Sequence, residues 1–535
     1  VPILTVTLGK EEHRIPFCAD RSLRDILDAT EIRVRSGCRG LGTCGLCRVR
    51  IEAGDAGAPT PNELLMLDSA EREQGIRLAC QVLPGDDLRI ELLSPAPKSH
   101  WRSLPDRALQ LVRRDPVLLP EDLPRNVTNP YGVAVDLGTT HISLSFHELS
   151  GGRCLTGRYG RNPQSRYGSD VMTRLVAASE SPEQAQDMSR QIIDAIREAL
   201  FDIAVREGIA IGNVVRLALV GNTAMLALLS GRNYGLLLQP KHWMSYVDCL
   251  PENPDAWAVS LGLHPEARIE VIPPLAGFVG SDLLAGVVAT RLTEDGASGL
   301  FIDFGTNSEI ALWDGRDLWV TSAAGGPAFE ECGISCGAPA EPGAICRVAL
   351  RDGEFAFDVI ADSEPRGLCG SGLVDLIACL VRSGLLTSTG HFAPTVPAEG
   401  FALARGERDI ILTKRDVDMF QRAKAAIATG IHVLLNHAGM GCEDVKRICL
   451  GGFFGRFLDG ANAREIGLLP GVPQALVELC GNTALAGCAD ALLSNAAVEC
   501  LRKLGERARL VNLSACPDFD ELFMRNLYLL PMGGE

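Results

Sequence analysis

The chain has no apolar run approaching the roughly 18 residues that a membrane-spanning helix needs, and its first residues carry no signal-peptide pattern. It also has no surplus of positive charge. Lys and Arg number 51 against 67 Asp and Glu, a net charge of −16, which argues against nucleic acid and anionic membrane surfaces as main partners. These absences make the cytoplasm the expected location. The sequons at Asn126 and Asn512 would matter only in a secreted protein, and they are discounted. What remains is 46% hydrophobic and 22% charged, the balance of a soluble globular protein. A length of 535 residues leaves room for about two to four domains.

Cysteine, by contrast, is plentiful at 18 residues. Most stand alone in apolar or Gly-rich stretches, and Cys18, Cys154, Cys249, Cys379, Cys449, Cys488 and Cys500 read as reduced core thiols. One group is different. In SGCRGLGTCGLCRVRI, Cys38, Cys44 and Cys47 are spaced C-x5-C-x2-C, and Cys80 follows in RLACQ. Glycines at 37, 40, 42 and 45 suit a tight loop whose N–H groups turn inward toward sulfur. Two paired C-x2-C knuckles, the usual zinc pattern, are missing, so a [2Fe–2S] centre is preferred to zinc. Gly40, Gly42 and Gly45 also match GxGxxG, but no ribose-binding acid follows in a βαβ unit, and the cysteines explain the glycines better. With strand-like runs from Ile3 and His13 and a short helix from Ser22, residues 1–94 resemble the adrenodoxin-like branch of the β-grasp ferredoxins. That resemblance implies Cys38, Cys44, Cys47 and Cys80 as cluster ligands.

Residues 95–130 contain seven prolines, too many for a long helix or a central strand. They read as a partly stiff tether marking a domain boundary, either a reach for an electron-carrying domain or a linker docked on the larger domain.

Beyond it, YGVAVDLGTT ends a strand on Asp136 and turns at Gly138, Thr139 and Thr140. Such a turn can donate hydroxyl and N–H groups to a phosphate while the carboxylate holds Mg²⁺ through water. A lone copy is equally an ordinary hairpin turn. A second copy, LFIDFGTN, lies 167 residues later with Asp303, Gly305, Thr306 and Asn307, and a pair of strand-like runs follows each. The repeat predicts a duplicated domain with a nucleotide between its halves. Further polar and glycine-rich strand or helix ends include Asn222 in VVRLALVGNTAM, Gly325 and Gly326 in TSAAGGPAFE, Gly370 and Ser371 in RGLCGSG, and Gly451 and Gly452 in RICLGGFFG. Asp282, early in a predicted helix, is placed either to orient an attacking water or to serve the helix dipole.

This order of motifs resembles the actin, sugar kinase and Hsp70 superfamily over residues 131–535. The fold implied is a multidomain α+β and α/β chain, an N-terminal β-grasp ferredoxin followed by a C-terminal duplicated RNase H-like actin/Hsp70-type ATPase. The superfamily implies ATP with Mg²⁺, phosphate turns at Asp136–Thr140 and Asp303–Asn307, and an adenosine motif at Gly451 and Gly452. Together with NPQSRYG, VGNTAM, GPAFE, ISCG, CGSGLVDLI, LGGFFG and IGLLP, the chain is similar to the reductive activators of corrinoid proteins. The resemblance implies electron transfer from the cluster to a Co(II) corrinoid partner, with the electron donor unidentified and a homodimer left open as the assembly. The tether runs directly into the ATPase, leaving little room for the middle domain of long family members. Two other readings stay open: an activator of a dehydratase or radical enzyme, and a small-molecule kinase with an appended ferredoxin.

Overall fold

Alternating buried side chains such as Leu4 and Val6 set the first sheet, as expected for strands covered on one face. The computed structural model describes all residues except 1, 10, 19, 31, 35–41, 43–44, 46, 96–99, 105–126, 169, 295, 306, 324–333, 339, 341–342, 361–363, 406–408, 453–457 and 533–535. Strands β1 (Ile3–Leu8), β2 (Glu11–Pro16), β3 (Arg48–Ala53), β4 (Ile76–Leu78) and β5 (Leu88–Leu92) form a sheet of order β2-β1-β5-β3-β4. Helix α1 (Leu23–Asp28), capped by the Ser22 side chain, buries Leu23, Ile26 and Leu27 on it. Two short helices, α2 (Pro61–Met66) and α3 (Ser69–Glu73), each open with a capping box. Buried Glu63 anchors α2 by pairing with Arg77 at 2.8 Å.

The duplication read from the two Asp-x-Gly-Thr turns is visible in the sheets. The first half has order β11-β10-β7-β8-β9-β6, with β6 (Arg102–Ser103), β7 (Tyr131–Leu137), β8 (His141–Glu148), β9 (Cys154–Arg161), β10 (Val214–Gly221) and β11 (Arg268–Val271). The second half has order β21-β20-β12-β13-β14-β22, with β12 (Gly299–Phe304), β13 (Ser308–Trp313), β14 (Leu318–Ala323), β20 (Ile448–Gly451), β21 (Val477–Gly481) and β22 (Arg509–Leu510). In each, an antiparallel three-strand meander lies beside a parallel pair. Only the outermost strand differs, since β6 runs antiparallel to β9 and β22 parallel to β14.

Helices α4 (Val171–Glu180) and α5 (Pro182–Glu207) cover the first sheet, followed by α6 (Thr223–Ser230), α7 (Trp257–Leu261) and α8 (Ser281–Ala289). Helix α8 crosses the helix Thr483–Leu493 at close range. A Cβ on Gly487 would lie 1.9 Å from the Ala285 carbonyl oxygen, so only glycine permits this approach of the two backbones.

Part of the proline-rich segment is docked. Trp101 and Leu104 are buried, and β6 adds an edge to the ATPase sheet against Gly157 and Gly160, where Cβ atoms would collide with Leu104 and Trp101. The ferredoxin domain is also held directly. Arg33 Nη1 reaches both oxygens of Asp202 at 2.7 and 2.8 Å, and Arg158 Nε joins Asp202 at 2.5 Å. Arg24 and Arg158 share Glu207 at 3.1 and 3.2 Å, and Arg206 pairs with Asp28. All seven side chains are buried.

An insertion in the second half holds β15 (Ala344–Arg351), β16 (Glu354–Val359), β17 (Gly367–Leu368), β18 (Phe401–Ala404) and β19 (Ile410–Leu412), with α9 (Gly370–Arg382) and α10 (Lys414–Ala438). On α10, Lys424 is 1% exposed and donates to the carbonyls of Asn526 and Tyr528 at 2.8 and 2.7 Å. Burial pushes its ammonium down to about 7. Between that value and the about 10.4 of a free lysine, the unfolded chain binds the extra proton, so stability rises with pH across the window and the penalty is fully present below it. Lys424→Met is expected to flatten this rise by up to about 1.4 kcal/mol per pH unit. Denaturant unfolding of both proteins at about pH 7 and about pH 9.5 checks it.

Candidate functional site

Two of the four cluster cysteines lie among the described residues. Cys47 is buried just before β3, Cys80 follows β4, and their sulfurs are 3.4 Å apart. Two thiolates on one tetrahedral ion with bonds of about 2.3 Å stand about 3.8 Å apart, so the pair fits a shared iron. The hydrogen bond from Cys47 pulls the Cys80 thiol down to about 6 against the effect of burial, helped by Gln81, the Arg24 charge and the Gly42 N–H. Gly42 and Gly45 have φ of +75° and +66°, and a Cβ on Gly42 would lie 2.7 Å from Gln81. The loop therefore needs these glycines for its shape. Cys38 and Cys44 lie outside the described residues.

In the first half, Asp136 ends β7 and Gly138 begins the turn, where a Cβ would meet the His141 carbonyl at 2.6 Å. Asn162 Nδ2 donates to the Gly138 carbonyl at 2.9 Å, and the N–H of Asn162 donates to the Thr140 carbonyl at 2.8 Å. Asn222 caps α6 through the Met225 N–H and donates to Thr139 Oγ1 at 3.0 Å, so both polar groups belong to one rim. Ser281 Oγ holds the Gly221 backbone at 3.2 Å. This brings Asp282, in the first turn of α8, beside the end of β10.

In the second half, Asp303 stands opposite Glu309 in the β12–β13 register. Gly451 pairs with Asp303, and a Cβ on Gly452 would lie 2.3 Å from the Phe304 carbonyl and 2.9 Å from Asp303 Oδ1. The glycine pair thus lies against the second phosphate turn itself. Gly305 and Asn307 continue this turn, with Asn307 exposed, while Thr306, Gly325 and Gly326 lie outside the described residues.

The charge of a first-half carboxylate, Asp282, reaches Glu309 of the second half. Burial pushes Asp136 up to about 7, opposed by Asn482 and increased by the Asp282 charge. Asp282 rises to about 6 through burial. Glu309 is raised well above the ordinary range by burial and then by Asp282 and Asp303. Among the described residues no three of these carboxylates bring oxygens within 4.8 Å of one another, a spacing that suits a cation held through water. Asn482, at the start of the Thr483–Leu493 helix, donates to Asp136 at 2.8 Å, tying a second-half helix to the first-half phosphate turn.

Glu309, Asn162 and Asn482 were not among the residues expected from sequence. Glu309 could have been found by pairing the hairpin that opens on Asp303, whereas the asparagines gave no signal. Gly370 and Ser371 lie in the insertion of the second half. Gly370 starts α9, and the Ser371 hydroxyl is turned to the Cys346 carbonyl at 2.9 Å in a buried position, as a brace within the insertion.

Family models agree with this division: a 2Fe-2S iron-sulfur cluster binding domain matches residues 6–85, the RACo middle region 131–295, and the C-terminal ASKHA domain of RACo 297–534. The corrinoid activation enzyme RamQ of Eubacterium limosum is 32% identical over 422 residues, 74% of this chain and 70% of that protein. The chain belongs to the family of reductive activators of corrinoid proteins. A [Co(II) methylated amine-specific corrinoid protein] reductase of Methanosarcina barkeri is 29% identical over 387 residues, 66% of this chain and 68% of the relative. A solved reductive activator for corrinoid, iron-sulfur protein shares the fold with a TM-score of 0.67 at 24% identity, over 99% of this chain and 98% of that one. The match at 131–295 corrects one expectation. The family's middle region is present, and in this chain it is the first half of the ATPase.

Proposed function

We propose that this chain is an ATP-dependent reductive activator that delivers one electron to the Co(II) corrinoid of a partner methyl-transfer protein and restores Co(I). The observation carrying this reading is the union, in one chain, of a thiol pair at 3.4 Å in a ferredoxin domain with a carboxylate site that spans two ATPase halves through Asn482 and Asp136. A [2Fe–2S] cluster held by Cys38, Cys44, Cys47 and Cys80 supplies one-electron chemistry. The protein's part is to hold the thiolates, keep water from them and present the domain to a partner.

At the other site, Asp136, Asp303, Asp282 and Glu309 are the residues that would hold Mg²⁺ with ATP, directly or through water. The turns at Gly138–Thr140 and Gly305–Asn307 would donate to its phosphates, and Gly452 would let it approach the backbone. Because Asn482 and Asp136 come from opposite halves, nucleotide binding there changes cleft closure, and with it affinity for the partner. If the acceptor's couple lies about 200 mV below the cluster's, the step is uphill by about 5 kcal/mol. Simple binding coupling of about 1–3 kcal/mol does not cover this, and ATP turnover supplies the remainder. We place the ferredoxin at 1–94, the linker at 95–130 and the ATPase at 131–535, in the cytoplasm.

Optical and EPR spectra of the anaerobic protein are expected to show a [2Fe–2S] signature. ATP turnover is expected to rise when a Co(II) corrinoid protein is added and to stay at its basal level with the Co(I) form. Turnover indifferent to the corrinoid protein but stimulated by a dehydratase or radical enzyme would move the acceptor to that class.

A further inference from the structure

Strand β21 lies at the sheet edge, and its register with β20 slips between Leu450 and Gly451, so that Leu479 faces Leu450 and Gly481 faces Gly451. Cys480 is the extra residue of this bulge. Bulges re-aim a side chain, and this one turns Cys480 toward Cys449 on β20. The two sulfurs and a Glu478 oxygen lie within 4.8 Å of one another, and Cys480 Sγ donates to the Glu478 carbonyl at 3.6 Å. Cys449 is fully buried and Cys480 is 8% exposed.

A metal ion is the weaker reading of this group. Both Glu478 oxygens are occupied by Arg447 at 2.8 Å, which places a guanidinium where a second cation would have to sit. The same guanidinium favours a thiolate on Cys480, which burial and Glu478 oppose, while Cys480 and burial hold Cys449 as the thiol. Cys480 therefore has the position of an attacking thiol, and Cys449 that of a resolving one.

The residues just downstream of each cysteine tie the pair to the nucleotide site. After Cys480 come Gly481, with φ +68°, and Asn482, which donates to Asp136. Two residues after Cys449 comes the glycine pair against Asp303. We propose that Cys449 and Cys480 form a reversible disulfide that draws β20 and β21 together at their ends and weakens nucleotide binding when the surroundings become oxidising. A low-molecular-weight disulfide is the oxidant. The Cys480 thiolate attacks one of its sulfurs and expels one small thiolate. Cys449 then attacks Cys480 Sγ, its proton passing to the first released thiolate, and expels the second. Two protein thiols lose two electrons, one disulfide gains them, and the two protons leave on the two released thiols.

The test incubates the anaerobic holoprotein with oxidised glutathione, maps peptides without reduction, and titrates a fluorescent ATP analogue in samples whose cluster absorption is unchanged. The expected result is a Cys449–Cys480 linkage with affinity weakened about tenfold or more, as for loss of a hydrogen bond to a charged group, and restored by dithiothreitol. Cys480→Ser, or Cys449→Ser should the first fail to fold, is expected to keep the reduced-state affinity under the same oxidant. Absence of the linkage, a glutathione adduct on Cys480 without it, or a linkage that leaves affinity unchanged would overturn the proposal.

Discussion

Replacing Asp136 or Asp303 by asparagine is expected to lower ATP turnover by about 10²- to 10³-fold, the cost of removing one preorganised charge from a phosphoryl-transfer site. Each substitution keeps the shape and deletes the charge. Asp136 ends β7 within hydrogen-bond reach of Asn482, and Asp303 is fixed by the β12–β13 pairing and by Gly452 packed against its carboxylate. Neither side chain is replaced by a neighbour, because the two come from opposite halves. Glu309→Gln provides the contrast. This carboxylate lies across from Asp303 in the β12–β13 register, and burial, then Asp282 and Asp303, raise it. Its loss is expected to cost about tenfold in turnover and to raise the Mg²⁺ concentration at half-saturation, as for groups that support a metal ligand. Phosphate release against Mg²⁺ concentration, with cluster absorption as the control for folding, measures all three. Equal losses for Glu309→Gln and Asp303→Asn would put Glu309 in direct contact with the cation.

The duplicated turn was legible because it repeats a local pattern: an apolar strand, a carboxylate and a glycine, then a hairpin. That pattern is written twice, and the matching order of the two meanders and parallel pairs reflects it. The ferredoxin was legible through Cys47 and Cys80, whose spacing and glycine-rich loop leave few chemistries. Less legible were residues whose role exists only across the fold. Asn482 caps the Leu485 N–H, and its second bond, to Asp136, joins positions 346 apart. Ser371 is a second case. A hydroxyl after a Gly-rich turn has the composition of a phosphate site, and in the fold it donates to the Cys346 carbonyl, a partner the local pattern does not reveal. The proline-rich segment shows the same limit. Its prolines exclude a long helix, but they carry no sign that Trp101 and Leu104 find glycines on β9 and add an edge strand.

Asp202→Ala is expected to undock the ferredoxin domain. Asp202 accepts from Arg33 of the ferredoxin and from Arg158 of β9, all three being buried. Its loss leaves Arg33 without its carboxylate and Arg158 with Glu207 alone, and breaking a buried pair from one side costs about 3–5 kcal/mol. The interface has little reserve against this. Four guanidiniums face three carboxylates, and Arg33 Nη2 with Arg206 Nε and Nη1 lack hydrogen-bond partners among the described residues. Burial pushes both Arg33 and Arg206 down to about 10, the sign of cations held at a cost. Each side of the interface has its own hydrophobic core, around Leu4 and Leu27 on one side and around Ile196 and Ile203 on the other. The cost therefore falls on docking before it falls on either fold. A shift of about 10²-fold or more toward the undocked form is expected to appear as faster tryptic cleavage between residues 96 and 126, while cluster absorption and basal ATP turnover hold. Pairing Asp202→Leu with Arg33→Met, which removes the ion pair across the interface and leaves Arg158 to Glu207, is expected to restore protection, since apolar replacements of a buried ion pair are often neutral or stabilising. Arg33 stands just before the loop that carries Cys38, so the same cleavage assay run with and without ATP reads whether the nucleotide site acts on the position of the cluster. Cleavage that is unchanged in Asp202→Ala would mean that β6 and the apolar contacts of Trp101 hold the domain without the ionic network.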